Sequence, residues 1–221
     1  MGDAVATAIA ARGVTVAQPQ LPMAATVGTG RRISRKATAA AAAALRQPGL
    51  SMRLARCIRR SGQGGPGEAA ARLVQWHVAQ HLLGRPGSRR SVHILDEGLL
   101  QCLWSIGLRG DVEPVIGTLD ASAGWREPDL LVVVRTSPVI AEQRLASRTS
   151  QHSRTQNLSG EARLPELVLG EELLDRLVRW WASDMSRHER VLEVSGAEAT
   201  ADERSELVRR IVTAVDRAPW A

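Results

Sequence analysis

The chain contains no tyrosine and no phenylalanine, one lysine, two cysteines and no long apolar run. Each shortage excludes something. Six tryptophans make up the whole aromatic complement, so Trp104, Trp180 and Trp181 are expected to fill the core or line a cleft. No basic motif interleaved with stacking aromatics is present, which argues against nucleic acid as a partner. Cys57 and Cys102 stand alone, without CxxC spacing, so neither a disulfide framework nor a zinc site is indicated, and a reducing cytoplasm is the expected compartment. No stretch approaches eighteen consecutive apolar residues, and the N-terminus lacks a charged segment followed by an apolar core. Neither a membrane span nor a signal peptide is expected.

At 221 residues and 44% hydrophobic, the chain can bury one sizeable core, and a single domain over 1–221 is expected. The net charge of +6 and pI near 10.9 favour acidic partners such as phosphates. That charge is almost all arginine, since Lys36 is the only lysine.

Residues 91–100 read S-V-H-I-L-D-E-G-L-L, an apolar run ending in two acids and a glycine. Val92, Ile94 and Leu95 predict a short buried strand that opens at Asp96, Glu97 and Gly98 into a helix over 99–108. Ligands bind at the carboxyl ends of strands in open α/β sheets, so these acids would face a cleft. The competing reading makes Asp96 the helix N-cap.

The remaining chain alternates helices and strands. Residues 3–12 predict an alanine-rich helix, 14–16 the start of an extended segment, 26–36 a Gly and Arg loop, and 37–46 a second alanine-rich helix. Residues 50–60 predict a basic helix with Met52, Leu54, Ala55 and Ile58 on its apolar side. After a Gly-Pro loop at 63–67, Ala71, Val74, Val78 and Leu82 give helical spacing over 68–83. His77 and His81 stand four apart there, but the zinc-binding pattern H-E-x-x-H lacks its glutamate, leaving two ordinary helix histidines. P-D-L-L-V-V-V-R reads as a strand of a parallel sheet, and Ser137-Pro138 starts the helix that follows. Residues 149–163 lose the apolar pattern and are rich in Ser, Thr, Gln and Arg, which predicts an exposed, mobile segment. Helix over 167–185, a last strand at 190–194 and an amphipathic helix over 202–217 complete an α/β pattern, a parallel sheet covered by helices on both faces.

Four segments in this order resemble the P-loop nucleoside and nucleotide kinases of the thymidylate kinase-like group. They are I-L-D-E-G; P-D-L-L-V-V-V-R-T-S-P-V-I-A-E-Q-R-L-A-S-R; an arginine-bearing lid at about 149–163, with Arg148, Arg154 and Arg163; and R-V-L-E-V-S-G-A-E-A-T before a terminal helix. The resemblance spans about 14–217 and implies a P-loop NTPase-like three-layer sandwich. The loop G-x-x-x-x-G-K-[ST], whose backbone N–H groups cradle phosphates, is missing. Either Gly2-Asp3-Ala4 stands just inside that loop and the first strand is absent, which is the preferred reading, or the loop has moved to Gly30–Thr38.

The resemblance implies ATP-dependent phosphoryl transfer to a nucleoside, nucleotide or other small acceptor, with ATP and Mg2+ as cofactors. Asp96 would orient the acceptor or hold a magnesium-bound water, and Glu97 would be its neighbour and possible base. Gly2, Arg144, Arg148, Arg154, Ser195 and Gly196 would contact nucleotide and phosphate, and Arg31 and Arg32 would lie near the acceptor. The alternative is a non-catalytic, degenerate nucleotide-binding module. No membrane partner is expected.

Overall fold

The computed structural model describes residues 2–11, 13–18, 29–84, 91–95, 98–147, 155, 158, 160–196 and 201–217. The chain is α/β. It divides into two compact units, residues 1–128 with 220–221, and residues 129–219.

In the first unit, α1 (Gly2–Ala10) leads into β1 (Thr15–Ala17), which pairs in parallel with β2 (Ser91–His93) in the register Thr15↔Ser91 to Ala17↔His93. Ile94 N donates to Ala17 O at 3.0 Å and carries the pairing one residue further. Parallel strands require a crossover, supplied here by three helices, α2 (Thr29–Arg46), α3 (Pro48–Arg60) and α4 (Pro66–Leu83). The helices α5 (Leu99–Gly107) and α6 (Glu113–Asp120) follow β2.

The helix α4 is central, packing on α2, α3 and α5. Leu50, Leu54 and Ile58 of α3 meet this core at four-residue spacing, and Trp76, Ala79 and Leu82 of α4 are buried with Leu103 and Ile106 of α5. Alanines do the packing on α2: Ala39, Ala40 and Ala43 are all buried, and their small side chains let the helices approach closely. Trp76 also meets Trp125, with ring centroids 6.1 Å apart.

Several local expectations need correction. Residues 29–36 are helical, not a loop, so the helix expected at 37–46 begins at Thr29. Arginine and lysine are good helix formers, and Ala39, Ala40 and Ala43 anchor the helix from its other half. Met52 is 65% exposed, because Leu50, Leu54 and Ile58 define the buried face and a residue two positions away points elsewhere. The inward face of α4 carries Ala69, Trp76, His77, Ala79 and Leu82 rather than Ala71 and Val74. The bulky Trp76 dictates that rotation. The N-cap of α5 is Gly98, with no side-chain cap bond, so the capping role considered for Asp96 falls two residues away from the helix start.

The backbone of 61–62 runs against that of 110–111. Asp111 N donates to Ser61 O at 2.7 Å, and a Cβ on Gly110 would lie 1.7 Å from that same oxygen. Both cysteines belong to this unit: Cys102 is fully buried, with Sγ 3.6 Å from Arg72 O, and Cys57 Sγ lies 3.2 Å from Thr118 Oγ1.

In the second unit, β3 (Leu131–Arg135) pairs in parallel with β4 (Val191–Ser195), register Leu131↔Val191 through Arg135↔Ser195. The crossover consists of α7 (Pro138–Ser147), α8 (Gly160–Ala182) and α9 (Met185–His188), and α10 (Ala201–Arg217) follows β4. Of Leu173, Leu174, Leu177, Val178 and Trp181 of α8, all expected inward from their spacing, Leu174 is half-buried and the other four are buried, with Val133, Val194, Ile211, Val212 and Val215. Arg187 lies over the Trp181 ring, 5.2 Å from its centroid. Asp184 caps α9 by accepting from Ser186 N at 2.8 Å.

Candidate functional site

The best-defined cluster of predicted site residues sits where β3 and β4 end. Arg135 and Ser195 are the last residues of their strands and are register partners. Both strands run the same way, so both following loops emerge at one end of the sheet, the end where parallel α/β sheets bind ligands. After β3, Thr136 and Ser137 form the turn. Pro138 starts α7 with a preset φ, and Ser137 Oγ accepts from Ile140 N at 3.4 Å in the N-cap manner.

One and a half turns along α7, Arg144 Nη1 donates to Gly196 O. Gly196 N in turn donates to Arg135 O at 2.5 Å, so the loop after β4 is held on both sides by the β3–α7 segment. Only glycine fits there. A Cβ at 196 would lie 2.2 Å from Thr136 Oγ1, 2.9 Å from Val134 Cγ1 and 3.0 Å from Arg135 O. The structure thus brings Arg144, Ser195 and Gly196 together, three of the residues assigned to nucleotide and phosphate.

Arg144 is half-buried and has no carboxylate partner among the described residues. A partly buried guanidinium with one donor on a carbonyl keeps its charge and its other donors for an anion. Arg135 behaves oppositely. It pairs with Glu193 of β4 and Asp175 of α8, and the bond to Glu193 above all, then that to Asp175, raises its pKa beyond the ordinary arginine value. Two carboxylates neutralise it, so it ties strand to strand and strand to helix rather than facing a ligand. Composition and spacing did not single this group out. The available signal was an arginine ending an otherwise apolar strand one residue before a Thr-Ser-Pro turn.

In the first unit, β2 ends at His93, with Ile94 and Leu95 continuing toward the acids. Asp96 and Glu97 lie outside the described residues, as do Arg148 and Arg154. Gly2 is the first residue of α1. Arg31 is exposed in the first turn of α2, and Arg32 is the next helical residue. The segment Gly30–Thr38, considered as a displaced phosphate loop, is continuous helix, and Thr38 Oγ1 donates to Ser34 O at 3.0 Å. From Ile33 onward its backbone N–H groups are spent along the helix, so the segment does not form a loop that wraps phosphate.

No group of three or more His, Cys, Asp or Glu able to hold a metal occurs among the described residues. His77 is 6% exposed, its Nε2 has no partner, and burial lowers its pKa, as suits a packed imidazole rather than a ligand. No helix among the described residues is long and apolar enough to cross a membrane. No protein-family model, curated protein or solved structure matches this chain.

Proposed function

We propose that the protein is a phosphotransferase of the P-loop nucleoside and nucleotide kinase kind, built on a three-layer sandwich and acting on a nucleoside, nucleotide or other small acceptor with ATP and Mg2+. The observation that carries this reading is the bond from Arg144 to Gly196 O. It joins the arginine-bearing helix after one parallel strand to the loop after the next, the two segments that the resemblance assigns to phosphate and to base.

Phosphoryl transfer asks a protein mainly for positioning and positive charge. In this reading Arg144 sits at the rim of the loop 195–196 and supplies charge to the phosphates, with Arg148 and Arg154 closing over them. Ser195 and Gly196 hold the base through backbone groups, and Arg31 and Arg32 draw in the acceptor. The first N–H groups of α1, beginning at Gly2, present the positive end of a helix dipole to phosphate oxygens. Asp96 orients the acceptor and Glu97 stands ready to take its proton. Magnesium, when bound, would offset phosphate charge, and Asp96 would hold it through a bound water.

A second reading, a non-catalytic nucleotide-binding module, is favoured by the helical state of Gly30–Thr38, which leaves the chain without a phosphate-cradling loop of its own in that segment. Calorimetric titration of ATP with and without Mg2+, together with a radiolabelled phosphoryl-transfer assay over a panel of nucleosides and nucleotides, separates the two. Magnesium-dependent binding with transfer supports the kinase, and binding without transfer supports the module. Absence of any ATP binding sinks both. In either case Arg144→Ala is expected to weaken ATP binding about tenfold, the loss of roughly one charge-assisted hydrogen bond.

A further inference from the structure

Positive charge is distributed unevenly along this chain. Between residues 4 and 67 there are ten arginine and lysine side chains and no aspartate or glutamate, whereas residues 68–221 are net acidic. The structure gathers part of that charge on one surface. On α3, Arg53, Arg56, Arg59 and Arg60 are all exposed, while Leu50, Leu54 and Ile58 are buried. With 3.6 residues per turn, the four arginines and Met52 share a sector roughly 120° wide, opposite the buried one. From Arg53 to Arg60 the helix rises about 10 Å.

These guanidiniums are not consumed within the protein. Arg56, Arg59 and Arg60 make no hydrogen bond or ion pair with the described residues, and Arg53 donates only to Ser122 Oγ, at 2.9 Å. The acid on neighbouring α4, Glu68, is engaged by Arg72 and Arg109. Arg59 and Arg60 favour the carboxyl-terminal end of the helix dipole, but Arg53 and Arg56 lie earlier and gain nothing from it. Four like charges within three turns repel one another, and a polyanion relieves that repulsion.

Two polyanions are disfavoured by what the face lacks. A bilayer would need an apolar helix face to sink into, and the apolar face of α3 is already in the core. Single-stranded nucleic acid would need aromatic platforms, and the first tryptophan in the sequence, Trp76, is 1% exposed. A duplex needs neither. Its backbone places a phosphate about every 3.4 Å of axis on each strand, so a row of guanidiniums about 10 Å long covers about three spacings, or four phosphates, on one strand. Arginine is the side chain whose planar fork binds phosphate in bidentate fashion.

We propose that the Arg53, Arg56, Arg59 and Arg60 face of α3 is a docking surface for the phosphate backbone of duplex DNA, read without regard to sequence. The test is fluorescence anisotropy of the full chain with a labelled 20-base-pair DNA duplex over 50–300 mM KCl. The arms are the same sequence as duplex RNA, the single strand, and vesicles of mixed neutral and acidic phospholipid. The expected slope of log K against log salt is about −3.6 for four phosphates. Arg56→Gln/Arg59→Gln/Arg60→Gln should reduce it to about −0.9 and lower affinity at least tenfold at 100 mM salt. A control with the same charge loss elsewhere, Arg179→Gln/Arg209→Gln/Arg210→Gln, should change little. If the triple variant does not fold, Met52→Glu, which sets a carboxylate at the amino-terminal end of the face, one turn before Arg56, should weaken duplex binding instead. No duplex DNA binding at 50 mM salt, equal loss in the control, or binding confined to RNA, single strands or vesicles would overturn the proposal.

Discussion

Gly196 and Gly117 show how much depends on what surrounds a single Cβ. At Gly196 the atom would collide with Thr136, Val134 and the backbone of Arg135, so Gly196→Ala is expected to destabilise the second unit by about 1–3 kcal/mol, the usual range for overpacking. Gly117 lies inside α6, and nothing stands within 4 Å of the place an alanine methyl would take. There alanine is expected to stabilise by about 1 kcal/mol, the helix-propensity difference. Urea unfolding of the two variants checks both signs. His77 gives a pH dependence. Burial lowers its native pKa below the unfolded value of 6.5, so the unfolded chain binds the proton first as pH falls. Its contribution to stability is complete above pH 6.5 and is lost as pH drops through the lowered native value. His77→Leu should flatten the urea midpoint between pH 7 and 5 relative to the parent.

At the scale of elements, α8 carries a test of its own. Pro165 stands in the sixth position of this 23-residue helix, where it removes one backbone donor and crowds the preceding turn. Pro165→Ala should raise the thermal midpoint of the second unit, by up to about 3 kcal/mol of stability. The helix α10 was legible in the sequence, and so were the Ser-Pro start of α7 and the body of α8 from Leu167; the first turn of α8, 160–163, was read as part of the exposed segment 149–163 because it lacks apolar spacing. The helix α6 was not: E-P-V-I-G-T-L-D mixes proline, glycine and β-branched residues, and its Val115, Ile116 and Leu119 become helical through burial rather than propensity. The first half of α2 read as a loop because its Gly and Arg composition says nothing of Ala39, Ala40 and Ala43 further along. The strand and helix on either side of Thr136 and the strand ending at Ser195 were legible, but the bond from Arg144 to Gly196 O was not, since it joins residues 52 apart in the chain. The Arg135, Asp175 and Glu193 group was not, since its three members are scattered over the chain and meet only once β3, α8 and β4 are folded.

For the molecule as a whole, the division into two compact units predicts two unfolding steps. Among the described residues the buried apolar set of the first unit is the larger, including Leu54, Ile58, Trp76, Leu103, Ile106, Val115 and Leu119. It should outlast the second in denaturant. Limited proteolysis at the intermediate concentration should leave a fragment ending near Pro128, and a single coincident transition by tryptophan fluorescence and circular dichroism would contradict this. The placement of the cysteines turns the same division into a chemical clock. Both thiols lie in the first unit, and Cys102 is wholly enclosed. A thiol-modifying reagent therefore reaches Cys102 only when that unit opens. The rate of its labelling times the opening of one half of the molecule, while the other half, holding the Arg144 and Gly196 clasp, can unfold and refold without leaving any mark.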